Sequence, residues 1–181
     1  MSPDPSLSRE DIRGLLTEVG GFLHVRGWTA TIYVAGGAAM PLLFENRATT
    51  RDIDAVFRSD KGQLEAAIRD VAVRHDLPVQ WLNDKVTSMV PAGPDDEASE
   101  LVVPGLRVLV SSERHLLAMK MLAGRDRDLA DLALLFSRLG VTSPQQAVQV
   151  TEDVFGPTYP VDPPPVEYLL ALATDVLDAL S

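Results

Sequence analysis

The sequence predicts an α/β fold: a small mixed sheet with flanking helices, followed by a C-terminal helical extension. Three observations carry that expectation. Short β-rich runs alternate with helical periods up to residue 111, and only helical periods follow. A Gly-Gly pair directly follows the first β-rich run. Of the 181 residues, 46% are hydrophobic and 23% charged, which supplies a sizeable core and excludes disorder as the main state. The expected organisation is an α/β core over 1–111 and a helical part over 112–181 packed on it.

Taken in order, Ser8 opens a helix to about Arg26, with Ile12, Leu15, Leu16, Val19, Phe22 and Leu23 on one face and Gly27 as its stop. Thr31 to Ala35 reads as a strand. Ala38 to Glu45 reads as a short helix, which tolerates Pro41 only in its first turn. Arg51 to Phe57 is a second strand, Gly62 to His75 a helix, and Val79 to Leu82 a further strand. Pro91 to Glu100 carries proline, glycine and four acids and reads as a loop. Leu106 to Val110 is a strand. Ser112 caps a helix through Leu122, and a helical segment from about Asp126 stops at Gly140. Ser143-Pro144 starts another helix to about Phe155. The five prolines between Gly156 and Pro165 make a rigid loop, and Val166 to Leu180 is a final amphipathic helix.

Composition removes several functions. With no cysteine there is no disulfide framework, thiol nucleophile or Cys-ligated metal. No apolar run is long enough to span a membrane, and Met1 to Glu10 has no apolar signal core, so a cytoplasmic enzyme is expected. The net charge is −10, and all 16 lysines and arginines lie in residues 1–138. Residues 139–181 carry six acids and no lysine or arginine, either a solvated helix face or an attraction for a basic partner. A general electrostatic hold on nucleic acid is therefore excluded, and a phosphate-bearing ligand needs a local basic site. His24, His75 and His115 lack ligand spacing; only His115, near Lys120, is placed to meet a phosphate. Trp28 and Trp81 read as packing residues, and no Ser/His/Asp triad can be argued.

The most informative stretch is Tyr33-Val-Ala-Gly-Gly-Ala-Ala-Met40, followed by Arg47-Ala-Thr-Thr-Arg-Asp-Ile-Asp-Ala-Val-Phe57. Glycines at a strand-to-helix turn let backbone N–H groups approach a phosphate, and the helix start adds a favourable dipole. On a strand alternate side chains share a face, so Asp52, Asp54 and Val56 point one way and Ile53, Ala55 and Phe57 the other. Two carboxylates with Cα atoms roughly 6.5–7 Å apart can converge on a divalent cation, and oxygen donors suit Mg²⁺. Either feature alone is commonly only a turn or a solvated strand face; together they are more specific. A second cluster runs from Ser112 to Leu132. On a continuous helix Lys120, Gly124, Arg127 and Asp131 would share one face and could receive a phosphate, against the plainer alternative of surface pairs Arg127–Asp131 and Arg125–Asp128.

This order of motifs resembles the nucleotidyltransferase (DNA polymerase β-like) superfamily. Arg-x-Thr-x-x-Asp-Ile-Asp at 47–54, Leu-Asn-Asp at 82–84, Ala-Met-Lys-Met-Leu-Ala at 118–123 and Arg-x-x-Asp-x-x-Asp-Leu at 125–132 resemble its AbiE-type (MenT-type) toxin group. The resemblance implies the nucleotidyltransferase fold. It implies Mg²⁺ on Asp52 and Asp54 with Asp84 or Asp131 as a third carboxylate, and nucleotide contacts from Gly36, Gly37, Ala38, Arg47, Arg51 and Arg125. It gives Lys120 to the nucleotide phosphates, Asp131 the place of a base or positioning group, and Arg125 and Asp128 the orientation of the helix junction. The implied reaction moves a nucleoside monophosphate from NTP to an RNA hydroxyl, commonly a tRNA 3′ end, with a partner antitoxin. Two departures stand out: Ala38 replaces the usual serine or threonine beside the glycines, and Leu106 to Val110 holds no acid. Two other readings remain: transfer to a small cationic acceptor such as an aminoglycoside, favoured by the acidic balance, and a non-catalytic regulatory or interaction protein.

Overall fold

A computed structural model describes residues 6–45 and 49–180. These form a mixed α/β structure with seven α-helices and a five-stranded mixed sheet among the described residues. The chain divides into two compact units. The first comprises Met1–Thr87 and Ala98–Ser111, and the second Ser88–Glu97 and Ser112–Ser181. One junction between the units falls at 111/112, and the assignment of 88–97 to the helical unit has no local signal in the sequence.

In the first unit α1 (Arg9–His24) begins at a capping box. The Ser8 hydroxyl accepts from the Asp11 N–H at 3.2 Å, and the Asp11 carboxylate accepts from the Ser8 N–H at 2.8 Å. The Ser8 hydroxyl also donates to Asp11 Oδ2 at 2.6 Å, and this bond, with that from the Ser8 N–H, holds the Asp11 carboxyl below the usual carboxylate range. Ile12, Leu16, Val19 and Leu23 are fully buried, as their spacing predicts; Phe22 is only half-buried, with the Arg26 guanidinium 3.5 Å from its ring centre. The strands are β1 (Ala30–Val34), β2 (Ile53–Phe57), β3 (Leu82–Asn83), β4 (Ser99–Val103) and β5 (Leu106–Val110), in the order β3-β2-β1-β5-β4. Central β1 pairs antiparallel with β2 and parallel with β5, and it buries Ile32, Tyr33 and Val34 on both faces. Helices α2 (Gly36–Leu43) and α3 (Lys61–His75) complete the unit.

Three expectations are corrected. The α2 helix starts at Gly36, so Pro41 lies beyond the first turn and the Gly37 carbonyl loses its helical donor. The strand expected over Val79 to Leu82 reduces to Leu82–Asn83, after Pro78 and Trp81 close a turn. The loop expected over Pro91 to Glu100 ends early, because Ser99 opens β4. That strand is an edge whose outer face meets water; its partner β5 is reached through the two-residue turn Pro104-Gly105, which the preceding acid-rich residues mask.

Helix α1 sits close on that turn. A β-carbon at Gly20 would stand 2.5 Å from the Pro104 carbonyl oxygen, and one at Gly105, where φ is +81°, would stand 2.3 Å from the Gly20 oxygen. Across the other side of α1, Glu18 accepts from Arg74 and lies 2.8 Å from the His75 ring nitrogen, tying α1 to α3.

The second unit is helical: α4 (Glu113–Ala123), α5 (Leu129–Leu139), α6 (Pro144–Phe155) and α7 (Val166–Asp178). Every residue of α4 from Leu116 to Leu122 is buried, the mark of a central helix rather than an amphipathic surface one. Helix α6 has a second capping box, built from Ser143 and Gln146 with Pro144 at its first position. No helix among the described residues is long and apolar enough to cross a membrane.

Gly105→Ala is expected to cost about 2 kcal/mol or more, since it forces an alanine into positive φ against the α1 backbone. Urea denaturation of the variant beside the parent chain measures it.

Candidate active site

The glycine turn and the aspartate pair meet at one place in the first unit. The last rung of the β1–β2 ladder pairs Val34 with Ala55, and the Ala35 N–H then donates to the Asp54 carbonyl at 3.0 Å. Beyond that bond the chain turns through Gly36 at φ +61°, a conformation that glycine adopts without cost. A β-carbon on Gly36 would stand 3.4 Å from Asp54 Oδ2, and one on Gly37 would stand 3.3 Å from the Thr50 hydroxyl. Thr50 in turn donates to the Asp52 carbonyl at 3.0 Å. The α2 N-terminus that follows has Ala35 at its cap, with no side-chain cap and no acid in its first turn. Its leading N–H groups therefore present the helix's positive end, with the Asp54 carboxylate beside the turn. Ala38 is buried and offers no hydroxyl.

Asp52 and Asp54 are both half-buried, although β2 begins one residue later than expected, at Ile53. The Ile53 N–H donates to the Trp81 carbonyl at 2.7 Å, which holds Asp52 beside the sheet edge. Strand β3 runs parallel to β2, with Asp54 opposite Asn83. Asn83 thus shares the face of the two aspartates, and its amide donates to Asp52 Oδ2 at 3.4 Å. Sequence reasoning did not single out Asn83; the signal was its place beside Asp84 in Leu-Asn-Asp, one residue out of phase.

Asp84 is placed differently from the expectation of a third metal carboxylate. Its Oδ2 accepts from Lys61 Nζ at 2.7 Å, and that ammonium holds the Asp84 carboxyl below the usual range. Alternation along β3 explains the outcome: if Asn83 faces the aspartates, the next residue does not. Among the described residues no three acidic or histidine side chains gather to hold a metal. The carboxylates that share this face are Asp52 and Asp54. Two carboxylates are hard oxygen donors that fit Mg²⁺, which keeps waters and completes its shell from substrate phosphates. Arg51 is exposed at the approach to β2. Arg47 lies outside the described residues.

The second cluster, within the helical unit, corrects the continuous helix. Helix α4 stops at Ala123, Gly124 takes the left-handed cap position, and a single 3₁₀ turn (Asp126–Asp128) leads into α5. The break re-aims the side chains. Lys120, 5% exposed, donates to Asp128 Oδ1 at 2.6 Å and lies 2.8 Å from Asp131 Oδ2. Asp128 occupies the N-cap position of α5 but makes no capping bond, because its carboxylate is committed to Lys120. Arg127 and Arg125 are exposed, so neither the expected Lys120–Arg127 basic seat nor the Arg125–Asp128 pair forms the junction; Lys120 with Asp128 does. One ammonium between two carboxylates is formally anionic, and Lys120 would have to exchange a carboxylate to take a phosphate.

Also in this unit, Asp95 Oδ2 accepts from the Ser112 N–H at 2.8 Å, and its Oδ1 lies 3.2 Å from His115 Nδ1. The Ser112 hydroxyl stands 3.1 Å from the same nitrogen. His115 is therefore turned to Asp95 and Ser112 at the start of α4, which ties segment 88–97 to that helix. Burial pushes the imidazole below its ordinary 6.5, against the opposing pull of Asp95, Glu97 and Asp96 and with a smaller push from Arg114.

No family model, curated protein or solved structure matches the chain.

Two outcomes are expected here. Lys120→Met removes the ammonium that lies between the Asp128 and Asp131 carboxylates and destabilises the protein by about 3 kcal/mol in urea denaturation. Because the folded pKa of His115 lies below the unfolded one, the unfolded chain binds the extra proton more readily between those values. Stability from this source is thus lost as pH falls below 6.5. His115→Gln should show a smaller drop in unfolding free energy between neutral and mildly acidic buffer than the parent.

Proposed function

We propose that the chain is a Mg²⁺-dependent nucleotidyltransferase with the fold of that superfamily, moving a nucleoside monophosphate from NTP to a hydroxyl of an RNA such as tRNA. Its motifs further suggest the toxin of a toxin–antitoxin pair. One observation carries the reading: a side-chain-free turn at the positive end of α2 lies against a carboxylate of an Asp-x-Asp pair, with Asp54 Oδ2 3.4 Å from the position of a Gly36 β-carbon. Phosphate-binding backbone and oxygen ligands for a hard cation are thus adjacent, as a metal–triphosphate requires.

In the reaction, the acceptor hydroxyl would release its proton to solvent as its oxygen bonds to the α-phosphorus, and the bond from that phosphorus to the bridging oxygen would break, releasing pyrophosphate. Asp52 and Asp54 would hold the magnesium, which when bound neutralises phosphate charge and lowers the acceptor hydroxyl's pKa. The N–H groups of Gly36 to Ala38 would orient the phosphates; with no hydroxyl at Ala38, that hold rests on the backbone. Most of the rate gain would come from positioning and fixed charge. The net charge of −10 favours a second reading for the acceptor, a small cationic molecule in place of RNA, since a polyanion would be repelled.

The test is incubation with each α-labelled NTP, Mg²⁺ and either total RNA or a polyamine-like acceptor such as an aminoglycoside. Label on RNA supports the first acceptor and label on the small cation the second. In either case Asp54→Ala should lower transfer by about a hundredfold or more. Absence of transfer with every NTP and acceptor, with no rise in melting temperature on adding Mg-NTP, would leave a non-catalytic interaction protein.

A further inference from the structure

Asn83 is 8% exposed, and its carboxamide is bonded at both ends. Its Oδ1 accepts from the Lys85 N–H at 3.1 Å; its Nδ2 donates to the Gln80 carbonyl at 3.2 Å and to Asp52 Oδ2 at 3.4 Å. The orientation follows from chemistry. A backbone N–H can only donate and a backbone carbonyl can only accept, so the oxygen must face Lys85 and the amide hydrogens must face Gln80 and Asp52. The turn around β3 therefore presents a neutral donor to the Asp52 carboxylate, directly opposite Asp54 in the ladder. An aspartate at this position would set a carboxylate oxygen against the Gln80 carbonyl and against Asp52. The fold selects an amide here, and the aspartate face carries two carboxylates rather than three.

Resting on the nucleotidyltransferase reading, we propose that Asn83 is a positioning residue that holds the Asp52 carboxylate and, by being neutral, makes divalent-cation binding depend on the nucleotide. Two carboxylates hold Mg²⁺ weakly by themselves, because the ion is strongly hydrated and a site's affinity rises with its ligand charge. The triphosphate oxygens supply the missing negative charge, so the cation enters with the nucleotide. Asn83 acts through Asp52 and is itself no ligand, since its oxygen is turned to Lys85.

The experiment is calorimetric titration of the full chain with MgCl₂ and with MnCl₂, each without nucleotide and with a non-hydrolysable NTP analogue. The parent chain is expected to take up metal saturably only with the analogue present. Asn83→Asp, nearly isosteric and still able to accept from Lys85, should bind Mn²⁺ without nucleotide at least about tenfold more tightly than the parent. Its melting temperature in EDTA should lie below the parent's, with Mn²⁺ closing that gap. Equal nucleotide-free affinity in the two proteins would overturn the proposal while leaving the enzymatic reading intact. A parent chain that binds neither metal nor metal–nucleotide would sink both. Should Asn83→Asp not fold, Asn83→Ser removes the hold on Asp52 without adding charge; it should weaken metal–nucleotide binding about tenfold, and unchanged binding refutes the assignment.

Discussion

A single backbone hydrogen bond organises the candidate site: the Ala35 N–H to the Asp54 carbonyl, 3.0 Å, at the end of the antiparallel pairing of β1 with β2. Antiparallel strands bring the exit of one beside the entrance of the next. The Gly-Gly turn at the exit of β1 therefore lies beside the aspartates at the entrance of β2, although fourteen residues of chain separate Gly37 from Asp52. Parallel pairing would have put the turn at the far end of β2. Gly36 suits that turn because its φ of +61° would strain any residue with a side chain, and the Asp54 carboxylate lies within contact distance of it.

Given that placement, charge decides the chemistry. Asp52 and Asp54 repel each other, and the Asn83 amide donor and the positive end of α2 both moderate this. The nearest ammonium in the chain order, Lys61, is spent on Asp84. In the proposed function the metal would arrive at this face together with the nucleotide.

The helical unit is organised by the opposite arrangement, a cation surrounded by acids. Lys120 is buried where α4 ends, and the two carboxylates that neutralise it come from the next turn and from α5. A buried ammonium demands such partners, because desolvation without them costs several kcal/mol. The Lys120 bonds therefore fix how α5 departs from α4, and Tyr168 of α7 closes over the same corner by donating to the Gly124 carbonyl at 3.1 Å. Removing water from this corner makes the ion pairs stronger than surface pairs of equal length.

What the sequence determined by itself is local. Ser8 with Asp11 and Ser143 with Gln146 announce two helix starts, because capping is settled within four residues. The burial of Ile12, Leu16, Val19 and Leu23 follows from helical period, and that of Ile53 and Ala55 from strand alternation. The tertiary structure alone decided what depends on partners distant in sequence. It made an edge strand of Ser99–Val103, whose sheet partner among the described residues is across the Pro104-Gly105 turn, and chose Asn83 over Asp84 for the aspartate face through the register of β3 on β2. It also gave Lys120 to Asp128 rather than to a phosphate-facing row with Arg127, because Gly124 breaks the helical period on which that row relied. Periodicity carries direction only within an unbroken element; across a break or between strands, packing and charge neutralisation set the direction instead.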